Sequence, residues 1–390
     1  MRPRRILPVI VLSQFAGTSL WFAGNAVLGE LRLELGLPEA ALGYVTSAVQ
    51  LGFIAGTLAF AFFAISDAVS PRLVFFLCSL AGAAANAASY ALAEGLGSLL
   101  ALRFATGFFL AGIYPVGMKI AAGWYRSGLG NALGFLVGAL VLGTAFPHLL
   151  KGLGTALSAQ AVLLGVSALA VAGGAAMYAL VPDGPHLSRG ARFDPRALAV
   201  IFRAPRFRAS AFGYFGHMWE LYAFWAFVPL VLAAQAAARG QDAPAVPLWA
   251  FAVIAAGAVG CVAGGLASLR SGSAPVAFAQ LAASGACCLL SPLLFHAPTP
   301  VFLAFLLAWG IVVVGDSPQF SALNAENAPR ALVGSALTIA NCIGFAITIG
   351  SIELLNAAAG TVGAQWLFVL LAPGPILGLV ALLPLLRRTP

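Results

Sequence analysis

Three acidic side chains, Glu220, Asp316 and Glu353, stand inside stretches of sequence that are otherwise almost wholly apolar. A charge at the middle of an apolar span costs about 2.5 to 3.5 kcal/mol on insertion scales, so each of them asks for a reason. The chemistry that fits is reversible binding of a proton or a cation, which a carboxyl group in a low-dielectric site can perform. The plainer alternative is a fixed hydrogen bond to a Ser, Asn or Tyr of a neighbouring helix. His217 precedes Glu220 by three residues, on an adjacent position of one helical face, and adds a group that can shuttle protons, ligate a metal or simply pack. His217, Glu220 and Asp316 are also the set that a divalent-cation carrier would use, although no His or Cys cluster accompanies them. Glu353 falls near a segment end, where it can reach water. Arg103 and Lys119 are the basic counterparts. Arg103 either draws an anionic substrate inward or snorkels to the interface while pairing with a neighbouring segment; Lys119, near a segment end, is placed to snorkel.

The elements that must position these groups follow from composition. Of 390 residues 61% are hydrophobic and only 8% charged, and the mean hydropathy is +0.99. Helices that cross a membrane need about 20 apolar residues each. Twelve such segments can be placed, at 7–29, 41–64, 73–93, 98–121, 130–150, 158–181, 209–234, 248–268, 274–295, 301–325, 331–355 and 364–386. Runs such as Val74 to Leu92 and Val301 to Val314 lack period-two alternation, which excludes a membrane β-barrel. Disorder and a disulfide scaffold go with it, since the five cysteines all lie in apolar segments without CxxC spacing and read as packing residues. The basic start, Met1 to Arg5, leads into an apolar run without a cleavage site, so it reads as the first membrane helix and not as a signal peptide.

The net charge of +8 does not point to nucleic acid, because the basic residues sit at segment ends and form no patch interleaved with aromatics. Their placement reads as topology. One side gathers Arg2, Arg4, Arg5, Arg72, Arg126, the six arginines between 189 and 208, Arg270, Arg330, Arg387 and Arg388; the other holds only Arg32, Lys151 and Arg239. Both termini and the polar stretch 182–208 are therefore expected in the cytoplasm, with six segments on either side: a bundle over 1–181, a cytoplasmic linker over 182–208 and a second bundle over 209–390.

The two halves share a pattern. Gly112-x-x-Pro115 is followed by Arg126-x-x-x-Gly130-x-Ala132-Leu133, and Gly315-x-x-Pro318 by Arg330-x-x-x-Gly334-x-Ala336-Leu337, at an offset of 203 that slips to 204. The halves are expected to be parallel duplicates. Each repeated arginine follows an inward-running segment, whose carbonyl end it can cap, which makes Arg126 and Arg330 candidates for steadying an inner gate.

At this point the sequence resembles the major facilitator superfamily over the whole chain. The loop between segments 2 and 3 keeps Asp67 and Arg72 of the superfamily's Gly-x-Leu-Ala-Asp-Arg-x-Gly-Arg pattern, its counterpart keeps Gly264-Gly265-Leu266-Ala267 and Arg270, and segment 4 carries Arg103 followed by Gly107. The resemblance implies an all-α membrane protein of twelve transmembrane helices in two pseudo-symmetric six-helix bundles. It also implies that segments 1, 4, 7 and 10 line a central cavity that Glu220 and Asp316 can both face. Cavity candidates on those segments are Trp21 and Asn25, Arg103 and Tyr114, Tyr214 and Trp225, and Gln319; Asp67 and Arg72 would make an inner-face contact that breaks during the cycle. Nitrate porters of the superfamily use arginines in helices 2 and 8, which this chain lacks.

No Walker A loop, HExxH or GxSxG motif is present, so an enzyme or a primary pump is not expected and no cofactor or metal is called for. The expected function is a secondary transporter for a small organic solute, coupled to protons through Glu220, Asp316 and His217. It would work as a monomer in the cell (inner) membrane by rocking of two bundles about a midplane site. The protein would then meet its solute, protons and the lipid bilayer, and no nucleic acid. Two alternatives are a non-transporting sensor or assembly factor of the same fold and the divalent-cation carrier. A reporter that works only outside the cytoplasm should be silent when fused after Arg196 and active when fused at Gln241; the reverse pattern would overturn the orientation.

Overall fold

The computed structural model describes residues 5–125, 129–153, 157–187, 193–242 and 245–386, with only the backbone of 129–131. Within those residues the chain is helical and has no strand. An apolar medium offers backbone N–H and C=O groups no water, so helices that satisfy them internally are what such segments form. The chain divides into two units, 1–193 and 194–390, a division that falls inside the polar stretch 182–208.

The first unit contains α1 (Ile6–Thr18), α2 (Ala23–Ala26), α3 (Leu28–Leu35), α4 (Ala41–Phe62), α5 (Ile65–Ala68), α6 (Pro71–Ala91), α7 (Leu96–Leu110), α8 (Tyr114–Trp124), α9 (Leu129–Gly152) and α10 (Ala159–Leu180). The second contains α11 (Ala197–Ile201), α12 (Pro205–Ala238), α13 (Val246–Ser271), α14 (Ser273–Phe295), α15 (Thr299–Gly315), α16 (Ser317–Asn327), α17 (Val333–Ala358) and α18 (Pro373–Leu386), with 3-10 turns at Arg330–Leu332 and Ala364–Leu371. Eleven helical stretches are long and apolar enough to cross a membrane, and Ile6–Thr18 is apolar but shorter.

The expectation of one helix over 7–29 is corrected. That segment stops at Thr18, turns, and continues as α2 and α3. Two hydroxyls help to end it: Thr18 Oγ1 donates to Gln14 O at 2.8 Å and Ser19 Oγ to Ala16 O at 2.6 Å. Such bonds from side chain to backbone compete with the helical ladder. Beyond the turn, the Glu30 carboxylate of α3 pairs with Lys151 at the end of α9 and accepts the Ala159 N–H that opens α10, at 2.6 Å. Lys151 holds the Glu30 carboxyl below the usual carboxylate range, so this clamp is formed at neutral pH and is lost as the pH falls through that lowered value.

The sequence repeat is also a repeat of packing. In the first unit α4 crosses α7 so closely that a methyl on Gly56 would strike the carbonyl of Phe108, and one on Gly107 the carbonyl of Val49. In the second unit α13 crosses α15 the same way, with Gly260 on the carbonyl of Ile311 and Gly310 on that of Val253. These pairs stand 203 or 204 residues apart. Small residues at such crossings let backbones meet, which is how helices associate in an apolar solvent. Both Gly-x-x-Pro motifs mark interruptions of equally long stretches: Leu96–Trp124 breaks between α7 and α8, and Thr299–Asn327 at Asp316. Proline lacks the N–H that would carry a helix through.

These crossings predict that Gly107→Leu and Gly310→Leu each cost more than the 1–3 kcal/mol typical of overpacking, because the obstacle is backbone. Both variants should lose most of their monodisperse protein in size-exclusion chromatography, whereas Gly265→Leu, with open space around it, should not. Normal recovery of the first two would refute the close crossing.

Candidate functional site

The buried charges fall into one group in each unit. In the second unit Asp316 occupies the single-residue break between α15 and α16, and its Oδ1 lies 2.9 Å from His217 Nδ1 of α12; both side chains are fully enclosed. One helical turn on, Glu220 is enclosed as well, and its Oε2 accepts Ser284 Oγ of α14 at 2.8 Å and faces Cys288 Sγ at 3.5 Å. Trp309 Nε1 of α15 donates to the same Ser284 oxygen at 2.9 Å, so Ser284 must turn its proton toward Glu220. Asp316 lies within electrostatic reach of Glu220 and of Cys261 of α13. Phe320 and Tyr214 flank the His217 ring, at 5.6 and 6.2 Å between centroids. His217 Nε2, Glu220 Oε1 and Asp316 Oδ2 have no hydrogen-bond partner among the described residues. Two acids thus share an enclosed interior with one imidazole, and among the described residues no other cation is in contact with them. Uncompensated charge is expensive in such a place.

The first unit offers an internal comparison. At the offset of 203, His217, Glu220 and Asp316 correspond to Gln14, Gly17 and Ile113. The crossing is closed there by Ile113, whose Cγ2 would stand 2.6 Å from a methyl on Gly17, while Gln14 lies against Gly117 as His217 lies against Phe320. The same helix contact therefore forms without an ionisable group. The fold does not require the triad.

The buried charge of the first unit is Arg103 of α7. Its Nη2 donates to the carbonyls of Leu20 and Trp21, at 3.1 and 2.7 Å, and its Nη1 to Asn86 Oδ1 of α6 at 3.0 Å. Asn86 in turn donates to Leu163 O and Ser167 Oγ of α10. Those two carbonyls are the ones freed where α1 breaks, and Gly24 leaves room for the guanidinium, since a methyl there would sit 2.9 Å from Nε. Arg103 is fully enclosed, so it does not snorkel. Its counterpart at 306 is a leucine, and the counterpart of the broken turn lies within α12, which runs unbroken.

The other candidates are placed as follows. Trp21 donates to Gln50 Oε1 at 3.3 Å and Asn25 to Thr46 Oγ1 at 2.7 Å, which ties both to α4. Tyr214 donates to Asn341 Oδ1 at 3.1 Å, Trp225 is buried against Tyr222, Gln319 is buried in α16, and Tyr114 is half-buried at the start of α8. In α5, Asp67 pairs with Lys119 at 2.6 Å and Ser66 O accepts from Lys119 as well, while Arg72 turns to the Tyr178 carbonyl and lies 5.2 Å from the centre of its ring. Lys119 is thus engaged with a neighbouring helix. Arg330 is exposed and bonds none of the last carbonyls of α16 among the described residues; Arg126 lies outside them. Sequence reasoning missed Ser284 and Trp309, and also His148 of α9, which is buried with Nε2 unpartnered among the described residues. Its single polar ring in an apolar run was the available signal. Among the described residues no three His, Cys, Asp or Glu side chains come together in a metal-binding arrangement.

Residues 9–352 match the sequence profile of the Major Facilitator Superfamily. The chain belongs to this superfamily. It is accordingly a multi-pass integral membrane transporter. No curated protein matches it in sequence. Among solved structures, that of the human organic anion transporter MFSD10 (TETRAN) is similar over 98% of this chain and 100% of that one, with a TM-score of 0.70 and 16% identity, a likeness of fold alone. In this superfamily member Arg103 is spent on a broken helix, and each buried acceptor left unpaired costs about 1–3 kcal/mol. Arg103→Gln should therefore lower the unfolding temperature of the purified, substrate-free protein by several degrees. An unchanged unfolding temperature together with weakened substrate binding would return Arg103 to the substrate.

Proposed function

We propose that the protein is a proton-coupled secondary transporter of a small organic solute, cycling by alternating access, with His217, Glu220 and Asp316 as the proton site. The observation that carries this reading is the contrast between the halves: three enclosed ionisable groups in one, and Gln14, Gly17 and Ile113 at the matching positions of the other. The matching crossing of the first unit packs without an ionisable group, so packing alone does not call for these three. The position of Asp316 adds a mechanism, because it is the residue at which α15 gives way to α16. Gaining or losing a proton changes whether the His217–Asp316 contact is an ion pair, and that contact bridges α12 to the break. A proton can shift the carrier only by its differential affinity for the two states, and a contact across a helix break is a place where such a difference arises. In the same reading the protein is a monomer of the inner membrane with both termini cytoplasmic, and Asp67 and Lys119 on the inner face belong to the gate.

Glu220→Gln retains the acceptor for Ser284 but removes an exchangeable proton. Its purified protein in vesicles should exchange labelled solute by counterflow at the normal rate and fail to accumulate it under a proton gradient. A Gln variant that still concentrates solute with undiminished pH dependence would make Glu220 a packing residue. Asp316→Asn is the parallel case; uncoupling by that variant alone would place the proton at the helix break.

A further inference from the structure

At the Pro205 end of α12, a groove of about 380 Å³ runs between α12 and α18, lined by Arg206, Arg208 and Phe212 on one side and Val380, Ala381 and Pro384 on the other. Its two ends differ in chemistry. The walls are apolar and open to the surroundings, with Phe212 50% and Val380 62% exposed. The mouth carries two arginines. Arg206 gives its Nε to Asn327 Oδ1 at 3.0 Å, and Arg208 gives Nη1 to Phe202 O at 3.4 Å, which leaves both Nη of the first and one of the second uncommitted to these contacts. Neither has a carboxylate partner among the described residues, whereas Lys119 and Lys151 do.

Depth places the arginines at the membrane boundary. α12 has 34 residues, or about 51 Å, against about 30 Å of hydrocarbon, so its ends emerge into the headgroup region. Phe212 lies one turn deeper than Arg208, at the edge of the hydrocarbon. An occupant that fits has a negative charge for the arginines and a hydrocarbon chain for Phe212 and Ala381.

We propose that this groove binds one anionic glycerophospholipid, its phosphate between Arg206 and Arg208 and an acyl chain along Phe212 and Val380. The site is separate from the proton triad and does not depend on the reading given for it. Basic pockets between membrane helices hold anionic headgroups by about 1 kcal/mol per arginine, or about fivefold in affinity each.

Native mass spectrometry of the full chain in detergent tests this, with dioleoyl phosphatidylglycerol or dioleoyl phosphatidylcholine added at equal concentration. The wild type should retain one phosphatidylglycerol at least about fivefold more than phosphatidylcholine. The R206Q/R208Q double variant should lose the preference, and R206K/R208K should keep most of it. Ala381→Trp, which fills the groove and leaves the arginines, should also lower retention. Equal retention of the two lipids, or a preference that survives in R206Q/R208Q, would overturn the assignment. So would complete competition by equimolar inorganic phosphate, which would mean an anion site without a lipid, or a dimer abolished by Ala381→Trp with no lipid preference, which would give the groove to a second copy of the chain.

Discussion

Where a helix breaks inside an apolar solvent, the carbonyls it exposes must be answered from within the protein, because no water is at hand. In the first unit the answer to the broken α1 is the Arg103 guanidinium. The dependence is mutual. A buried cation needs several acceptors at once, and a continuous helix offers none, so the arginine and the break stabilise each other. Trp21 and Asn25 tie the displaced chain to α4, so the turn is held directly by α7 and α4 and, through Asn86, by α6 and α10. The second unit, with Leu306 where the arginine stands, keeps its corresponding helix whole; its break at Asp316 matches the one between α7 and α8 of the first unit.

Duplication turns this contrast into evidence. Glycine-mediated crossings recur at an offset of 203 or 204, so the shared scaffold is the part that both halves need. Arg103 on one side and His217, Glu220 and Asp316 on the other are departures from it. Each is surrounded by groups that suit its sign: backbone and amide oxygens around the cation, an imidazole and a hydroxyl around the acids. Removing one partner from such matched surroundings leaves the rest buried and uncompensated, which is costly.

The sequence was informative about length scale and repeat. Twelve apolar segments, the six-plus-six plan and the repeated Gly-x-x-Pro motif were legible, because hydropathy and internal similarity depend on residue type alone; the breaks at those motifs, inside the segments placed at 98–121 and 301–325, were not expected. The break in α1 was not, since the run around Leu20 to Phe22 is as apolar as a continuous helix would be and the cause lies 80 residues away in Arg103. The face that Glu220 turns to was equally hidden: α12 is apolar nearly all round, so no polar stripe marks a direction, and its partner Ser284 is one of many serines in membrane helices. Asp67 was expected to meet Arg72, the nearer basic residue in sequence, yet it pairs with Lys119, which α8 brings alongside.

The enclosure of Glu220 bears on membrane voltage. It stands 15 residues, about 23 Å, from the start of a helix about 51 Å long, near its midpoint and far from either aqueous phase. An elementary charge carried that far from one side crosses roughly half of the membrane field, worth about 1.2 kcal/mol at 100 mV. Occupancy of such a position is therefore set by the electrical potential as well as by concentration, and its bias reverses with the side from which the charge arrives.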